Sequence, residues 1–424
     1  MLSQQSSLLA SIPEKRKVFD FNLEALRGVA ALLVVWHHIV YATNILDPAF
    51  TPTGIWAFDP PAHLCVLVFF VLSGYVIGIS HTAPLTKDTI LGYLKKRAVR
   101  LYPIYAISIA LTVLLAVNYY SVKTIVGHFI MTHVLLVPVM MENAPAWSLH
   151  YEVLYYILFI SVSYFRLNPL LLAISSFVIG FSNAYLYPRV GGVPLLSAYA
   201  FGFTFWLTGL TLAKYMKRPA GSTSWSLMLS LLLLLFSLEK FNIFSTILSK
   251  ASIKLFGSEL FFKSPVPWYQ AAVAFQDFAF LPFCIIVMAV FASKDFRYLK
   301  YVTAVVILVP MLTFYSFYKH YTTQNNAALV IPCICYILSV LVYLFREKLD
   351  NFSGKIINRL IVTGGISYGL YIIHFPVFYF FNQIQEFSGS LLTFVIRLFL
   401  YLLIVVGLAY LLEKKLQPWI KRMV

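Results

Sequence analysis

Long apolar runs separated by short polar segments fill most of the sequence. Each run is close to the length of about 20 residues that an α-helix needs to cross the hydrocarbon core of a membrane. The pattern predicts an all-α fold, a polytopic transmembrane helical bundle of about 10–12 spans, with some runs allowed to be re-entrant. The runs that carry this prediction are residues 28–46, 62–82, 101–117, 147–165, 169–187, 193–213, 222–238, 271–293, 301–318, 327–345, 361–381 and 390–412.

The polar segments between these runs differ in charge. When the apolar stretch 122–141 is treated as an interfacial or re-entrant helix, most of the 32 Lys and Arg residues fall in alternate segments. Cytoplasmic loops of membrane proteins collect Lys and Arg, so these segments are predicted to face the cytoplasm. The sequence therefore predicts one integral-membrane domain, 1–424, with a cytoplasmic N-terminal tail (1–20) and a cytoplasmic C-terminal tail (413–424).

The composition agrees with a membrane protein and excludes other classes. Hydrophobic residues make up 60% of the chain and charged residues 11%, whereas soluble proteins have about 45–50% apolar and about 25% charged residues. A soluble enzyme and a disordered chain are both excluded. The net charge of +16 is explained by basic cytoplasmic loops, so nucleic acid is not an expected partner. The four cysteines lie in apolar runs and are interpreted as packing residues.

Ionisable residues inside an apolar span are costly and usually mark a functional site. In the first span, Arg27 and His38 are eleven positions apart, which places them on one helical face about 16 Å apart along the axis. Glu24 shares roughly this face. His37 points about 100° away and is predicted to pack against a neighbouring span. One interpretation is a cavity with Arg27 at its cytoplasmic mouth and His38 deep inside. The alternative is a membrane anchor and a structural histidine.

The second and third spans contain small and basic residues. Ser73 and Gly74 lie in mid-span, where small residues permit close helix contact. Arg97 and Arg100 lie one helical turn apart at the predicted cytoplasmic start of the third span. Two forked guanidinium groups at this spacing suit a phosphate or pyrophosphate. The alternative is a basic loop that contacts lipid headgroups.

Polar residues interrupt two later spans. Ser148 and Glu152 share a helical face, and an unpaired carboxylate at this depth would be costly. The alternative to a functional Glu152 is a structural ion pair, for example with Arg397. His374 lies in mid-span, where a structural histidine in a kinked helix is also possible. No metal-binding motif accompanies these residues, so no metal is expected.

Taken together, these segments resemble the integral-membrane acyltransferase family 3, the O-acyltransferases that modify glycans and related acceptors. Five blocks follow in the family's order between residues 20 and 380. Three positions depart from the family pattern: Glu24 replaces the usual Asp, Ala25 replaces a Gly, and Tyr151 stands where Glu is common. The residues that stand at the positions of the five blocks are Glu24, Leu26, Arg27, Gly28 and His38; Phe69, Phe70, Ser73, Gly74 and Tyr75; Arg97, Arg100, Leu101 and Pro103; Trp147, Ser148, Leu149 and Glu152; and Ser367, Tyr368, Tyr371 and His374.

The resemblance implies transfer from cytoplasmic acyl-CoA, with acetyl-CoA as the expected donor substrate, to a carbohydrate hydroxyl. It implies that His38 is the general base and that Glu152 orients an imidazole or assists the acceptor. Arg27 would bind the CoA chain or the thioester oxygen, and Arg97 and Arg100 would bind the CoA phosphates. Substrate contact or structural support is implied for Glu24, Ser73, Trp147, Ser148, Tyr371 and His374.

Two other functions stay open from the sequence. A multi-span transporter or flippase of a sugar-containing substrate would place the same charges along a translocation path, without acyl-CoA turnover. A catalytically idle relative is disfavoured because both Arg27 and His38 are present. The expected location is a bacterial inner (plasma) membrane, and the expected partners are membrane lipid, acyl-CoA and a carbohydrate acceptor. The oligomeric state does not follow from the motifs.

Overall fold

The computed structural model describes residues 21–190, 193–217, 224–256, 266–319 and 329–423, and the predicted N-terminal tail, 1–20, lies outside this part of the chain. Within these ranges the secondary structure is helical and no β-strand forms. Short 3-10 turns occur at Gly54–Ala57, Met141–Ala146, Trp268–Gln270 and Phe275–Phe280, and a π-helical turn at Leu412–Leu416. The α-helices, numbered α1 to α18 in chain order, are Phe21–Tyr41, Thr43–Leu46, Ala62–Ser80, Lys87–Leu115, Val122–Phe129, Trp147–Tyr164, Pro169–Val190, Pro194–Tyr215, Trp225–Phe241, Ile243–Phe256, Leu281–Phe291, Leu299–Leu308, Met311–Lys319, Val330–Leu344, Arg346–Gly364, Ser367–Asn382, Leu391–Leu411 and Gln417–Met423.

Six helices of the described chain are long and apolar enough to cross a membrane. They are α1, α3, α4, α7 over Pro169–Leu186, α8, and the helical stretch Leu391–Met423. Two bent pairs, α9 with α10 at 45° and α15 with α16 at 63°, bring the number to eight if each pair is one span. The all-α polytopic fold is confirmed. Within the described residues, helix length and composition support at most eight spans, fewer than the predicted number of about 10–12.

Four of the predicted apolar runs, 147–165, 271–293, 301–318 and 327–345, are not among these eight candidate spans, because their helices are short, contain polar residues or are interrupted. Helix α6 has 18 residues, but polar side chains, Glu152 among them, lower its mean hydropathy. The helical stretches Phe275–Phe291, Leu299–Tyr315 and Val330–Leu344 are only 10–17 residues long. In the second of these, α12 ends just before Pro310, whose ring disrupts helical hydrogen bonding. The stretch 122–141 forms only the eight-residue helix α5, too short to span, followed by a non-helical segment.

One polar segment that was predicted to be a cytoplasmic loop is a helix. It lies between the runs 327–345 and 361–381 and forms α15, which packs along α1 and α9. Buried contacts such as Ile357 hold it in place. Most of its charged side chains are exposed, and the first turns of α1 pack against its C-terminal end.

Glycine permits close contact between α3 and α8. A Cβ atom on Gly74 would lie 1.9 Å from the carbonyl oxygen of Trp206, and one on Gly209 would lie 1.8 Å from that of Val71. Both distances are far below any real contact, so only glycine fits at these points. The close helix contact predicted at Gly74 is confirmed, and it holds α3 and α8 together beside the site described below.

A stack of buried histidines fixes the irregular segment between α5 and α6. The rings of His128 and His133 stack with their centroids 4.8 Å apart, and the His150 ring lies edge-on to His133 at 5.2 Å. The nitrogens of all three rings have partners inside the protein. Those partners are the carbonyls of Thr124, Ala146 and Met131, the amide of Met140, and the hydroxyls of Tyr105 and Tyr199. The stack therefore holds in place the segment that leads into α6.

The loops predicted to be cytoplasmic contact one another at one end of the bundle, and those predicted to be external do so at the other. The first end, called the arginine end, contains the contacts Leu85–Ser163, Lys217–Asp295 and Ser224–Asp350. The second, called the histidine end, contains Asp59–Lys240, Asp47–Gly389 and Leu46–Arg397. The predicted alternation of cytoplasmic and external loops along the chain therefore agrees with the positions of these loops at the two ends of the bundle.

Candidate active site

A cavity of about 90 Å³ lies toward the arginine end of the bundle. It is bounded by α1, α3, α4, α6 and α16, and three guanidinium groups outnumber its single lining carboxylate. We call it the arginine cavity. Its polar lining residues are Arg27, Ser73, Arg97, Arg100, Ser148, Glu152, Tyr156, Ser367, Tyr368 and Tyr371.

Two of the three arginines of this cavity, Arg27 and Arg97, are held by different kinds of contact. Arg27 forms an ion pair with Glu24, one turn earlier in α1, at 2.5 Å. The guanidinium of Arg97 lies 5.9 Å from the ring centre of Tyr93 and 5.8 Å from that of Tyr156, which is cation–π geometry. Its Nε atom is buried and has no hydrogen-bond partner within the described residues. Arg97 is therefore fixed by packing, with a donor left over for a ligand.

Glu152 is fixed by neutral donors. The Ser73 hydroxyl donates to its carboxylate at 2.8 Å, and the Tyr156 hydroxyl donates to the same oxygen. Arg397, the alternative partner from the sequence, lies elsewhere and donates to backbone carbonyls such as that of Leu46 at 2.9 Å. The structural ion pair between Glu152 and Arg397 is thus absent.

A wider cavity of about 680 Å³ lies toward the histidine end. We call it the histidine cavity. Both histidines of α1 line it, so the expected packing of His37 against a neighbouring span is wrong. Its polar and aromatic lining residues are His37, His38, Tyr41, Asn44, His63, Trp147, Trp268, Tyr371, Phe375 and Tyr379.

His38 is paired with a second histidine behind it. The Nε2 atom of His374 lies 3.0 Å from Nδ1 of His38, and Nδ1 of His374 lies 2.7 Å from the carbonyl oxygen of Tyr371. A carbonyl only accepts, so Nδ1 of His374 carries the hydrogen, and in the neutral ring its Nε2 accepts one. His38 then donates from Nδ1, which leaves the lone pair on its own Nε2. A neutral ring with a free lone pair is what a general base requires.

His37 is paired with a carboxylate. Its Nδ1 contacts Asp59, in the loop before α3, and Lys240 at the end of α9 donates to the other oxygen of Asp59 at 2.7 Å. Partial burial alone would raise the pKa of Asp59, but the hydrogen bonds from His37 and Lys240 outweigh it and hold that pKa below its usual value. Asp59 is therefore an anion that orients the His37 ring.

The two cavities share a wall. Val66 of α3 and Tyr371 of α16 line both of them. The Tyr371 hydroxyl lies 2.6 Å from the Ser148 hydroxyl, and its ring packs edge-on against Phe69 at 5.7 Å. The single cavity predicted from Arg27 to His38 is therefore divided in two at Tyr371.

The structure gathers the predicted site residues into two groups. Those at the arginine cavity are Arg27 with its partner Glu24, Ser73, Arg97, Arg100, Ser148 and Glu152; those at the histidine cavity are His38, His374 and Trp147, while Tyr371 belongs to both. Glu152 is not in contact with His38, so its implied roles of orienting that imidazole or assisting the acceptor have no support from its position.

Sequence reasoning missed two groups at the histidine cavity. His63 forms an ion pair with Asp277 at 2.9 Å, and Asp59 holds His37. His63 lies inside the apolar run 62–82, so the rule that singled out His38 would also have found it. Asp59 lies in a predicted loop, where a carboxylate is ordinary, and no sequence signal marks it.

Comparison with known proteins identifies the family. A family model described as an acyltransferase domain, acyltransferase 3, matches residues 20–298, more than half of the chain. The chain belongs to this family. Four of the five blocks lie within the matched range, and the Ser367–His374 block lies beyond it. The chain thus combines a match to an acyltransferase domain with several apolar helices of membrane-spanning length, a combination that the transporter alternative does not account for.

One curated relative gives a shorter match. "Protein 2 in picA locus" of Rhizobium radiobacter is 36% identical over 91 residues, which is 21% of this chain and 41% of that protein. The chain thus spans less than half of the length of this relative. No solved structure matches the chain significantly.

Proposed function

We propose that the protein is an O-acyltransferase that moves an acetyl group from cytoplasmic acetyl-CoA to a hydroxyl of a carbohydrate acceptor. A cell-surface or exported polysaccharide is the expected acceptor, and a bacterial inner membrane is the expected location. The observation that carries the proposal is the pair of cavities, one cationic and one lined by histidines, that share a wall at Val66 and Tyr371. A phosphate-bearing donor and a hydroxyl-bearing acceptor can meet there from opposite ends.

The arginine cavity suits the phosphates of acyl-CoA. Arg97 and Arg100 are one turn apart on α4 and present forked donors, which match phosphate oxygens in pairs. Arg27 shares this cavity and adds a third cation close to its Glu24 partner. The position of Arg27 supports a role on the CoA chain rather than at the acyl group, because His38 lies about 16 Å further along α1.

The distance of about 16 Å between Arg27 and His38 along α1 agrees with the length of the donor. The pantetheine arm of CoA is a linear chain about as long as four or five extended amino-acid residues, or about 15 Å. With the phosphates at Arg97 and Arg100, the arm would pass between Val66 and Tyr371 and place the thioester near His38. The hydroxyls of Tyr371 and Ser148 lie together on this path, 2.6 Å apart, and the Tyr371 hydroxyl would turn from the carbonyl of Pro145 to donate to the thioester oxygen as charge develops there.

His38 is the group we assign to proton transfer. Its Nε2 lone pair accepts the proton of the acceptor hydroxyl while the oxygen attacks the thioester carbonyl carbon. The C–S bond breaks, the new C–O ester bond remains, and the proton passes from His38 to the sulfur of CoA. His374 does not meet the substrate; it is a positioning residue that fixes the tautomer of His38.

The test is transfer by the purified full-length protein in lipid nanodiscs. The probe is ¹⁴C-acetyl-CoA, with oligosaccharides released from the host's envelope polysaccharide as acceptor. We expect base-labile label in the oligosaccharide and an equal amount of free CoA thiol. Uptake of the oligosaccharide into proteoliposomes without CoA release would contradict the proposal and favour a transporter.

A further inference from the structure

Two histidines on the wall of the histidine cavity are held by carboxylates that lie behind them. Nδ1 of His37 contacts Asp59, and Nε2 of His63 lies 2.9 Å from Asp277. Because a carboxylate only accepts, the contacting nitrogen of each ring donates the hydrogen. One nitrogen of each ring, Nε2 of His37 and Nδ1 of His63, is then left for another partner.

Residues at the C-terminal end of α9 support both histidine–carboxylate pairs. Lys240 donates to Asp59 at 2.7 Å, and the neighbouring Glu239 accepts the backbone N–H of Leu64 at 3.2 Å. Leu64 directly follows His63 in α3. Asp277 is itself fixed, because it accepts the backbone N–H of Ala274 at 2.8 Å. Both histidines are thus held in place before any ligand arrives.

Aromatic side chains line the same cavity. The indole rings of Trp147 and Trp268 lie edge-on to each other with centroids 6.2 Å apart, and Phe375 lies edge-on to His38 at 5.1 Å. A sugar ring has one face of C–H groups and a rim of hydroxyl groups. Aromatic surfaces beside fixed donors and acceptors suit such a ligand, and the cavity volume of about 680 Å³ is that of a small-molecule site.

We propose that this cavity is a sugar subsite in which His37 and His63 bind ring hydroxyls while Trp147 and Trp268 pack on the ring face, next to His38. The proposal rests on the proposed function, which it extends from an acceptor of stated class to the residues that bind it. Asp59 and Asp277 are positioning residues here, since they act through the histidines. His37 binds acceptor and His38 takes its proton, although the two rings are adjacent, with centroids 5.0 Å apart.

The test measures separate KM values for acetyl-CoA and for the host oligosaccharides with the purified protein in nanodiscs. Asp59→Asn and Asp277→Asn should each raise the oligosaccharide KM about tenfold, equivalent to about 1.4 kcal/mol. The kcat and the KM for acetyl-CoA should stay near wild type. Asp59→Glu should restore part of the acceptor affinity, because it keeps the anion. The matched control is Asp88→Asn, an exposed aspartate in the first turn of α4.

The outcomes separate this inference from the proposed function. If the wild type transfers acetyl but both Asn variants keep the wild-type oligosaccharide KM, the sugar subsite is wrong and the acyltransfer stands. If the wild type transfers no acetyl to the oligosaccharides, the proposed acceptor itself is wrong. Should either variant fail to fold, His37→Gln and Trp268→Phe test the same subsite, and unchanged oligosaccharide KM values in both would overturn it.

Discussion

The three arginines in the arginine cavity differ in whether a carboxylate of the protein already neutralises their charge. Arg27 is paired with Glu24. Arg97 rests on two tyrosine rings, and neither it nor Arg100 forms an ion pair with a carboxylate within the described residues. The charge available to a phosphate group therefore comes mainly from Arg97 and Arg100.

Arg97→Ala and Arg100→Ala should each raise the KM for acyl-CoA by about tenfold or more. A charge-assisted hydrogen bond contributes about 1.5–3 kcal/mol, and about 1.4 kcal/mol corresponds to a factor of ten. Lysine at either position should restore the affinity only in part, because it lacks the planar fork. Lys96→Ala, an exposed residue on the same helix, is the control in steady-state assays. Wild-type KM values in both alanine variants would place the CoA site elsewhere.

Many of the individual site residues can be predicted from the sequence. Helix periodicity brings Arg27 and His38 to related positions, and the cost of a charge in a span marks Glu152. The partner of His38 does not follow, because His374 is 336 positions away and a mid-span histidine is compatible with a structural role. The face of His37 was misjudged because the loop containing Asp59 folds back toward the end of α1, and helix periodicity contains no information about loops.

Among the helix pairs, α3 and α8 make an especially close contact that depends on glycine. The backbone of α8 fills the space that any side chain at Gly74 would need. Ser73, next to it, donates to Glu152 at 2.8 Å. Trp206 of α8 donates its indole N–H to the Ser73 hydroxyl at 3.3 Å, so the close contact of α3 and α8 helps to fix one of the two hydroxyls that hold the Glu152 carboxylate.

Gly74→Ala should destabilise the protein, although alanine is the better helix former by about 1 kcal/mol. The added methyl group would lie 1.9 Å from the carbonyl oxygen of Trp206, and overpacking of this kind costs about 1–3 kcal/mol. Gly92→Ala is the matched control, because nothing lies within 4 Å of a Cβ there. Thermal unfolding in detergent checks both variants. A Gly74→Ala protein as stable as the control would contradict the close contact.

The stack of His128, His133 and His150 should make stability depend on pH. Burial, aided by the neighbouring His128, lowers the pKa of His133 to about 3, whereas an unfolded histidine has a pKa of about 6.5. Between these values the unfolded chain binds more protons, so stability falls as the pH drops below about 6.5. The melting temperature should decrease from pH 7 to pH 5, and His133→Gln should flatten that dependence. An equal slope in both proteins would contradict this.

The helices themselves are largely predictable because their apolar runs are long and continuous. The count of spans is not, because a run of apolar residues does not reveal where its helix ends. Pro310 breaks one run, and polar residues in α6 lower the hydropathy of another. The polar helix α15 was missed for the opposite reason: its stability comes from packing along α1 and α9, which charge counting does not detect.

For the whole molecule, the two ends of the bundle should lie on opposite sides of the membrane. Loops predicted to be cytoplasmic meet at the arginine end, which agrees with the orientation that Lys and Arg predict. In a cysteine-free background, cysteine at Lys421 should react only with a membrane-permeant thiol reagent in intact cells. Cysteine at Tyr119, which is 94% exposed, should react with an impermeant one. The reverse pattern would invert the assigned orientation and place the arginine cavity away from cytoplasmic CoA.

The central claim is that acyl transfer takes place at His38, in the histidine cavity, while its neighbour His37 only binds acceptor. The most direct measurement is kcat at saturating acetyl-CoA and saturating oligosaccharide for His38→Ala and His37→Ala at matched protein levels. A positioned general base contributes about 10²–10⁴-fold to the rate. We therefore expect kcat to fall by this factor in His38→Ala and to stay close to wild type in His37→Ala. Equal losses in the two variants, or a larger loss in His37→Ala, would contradict the account.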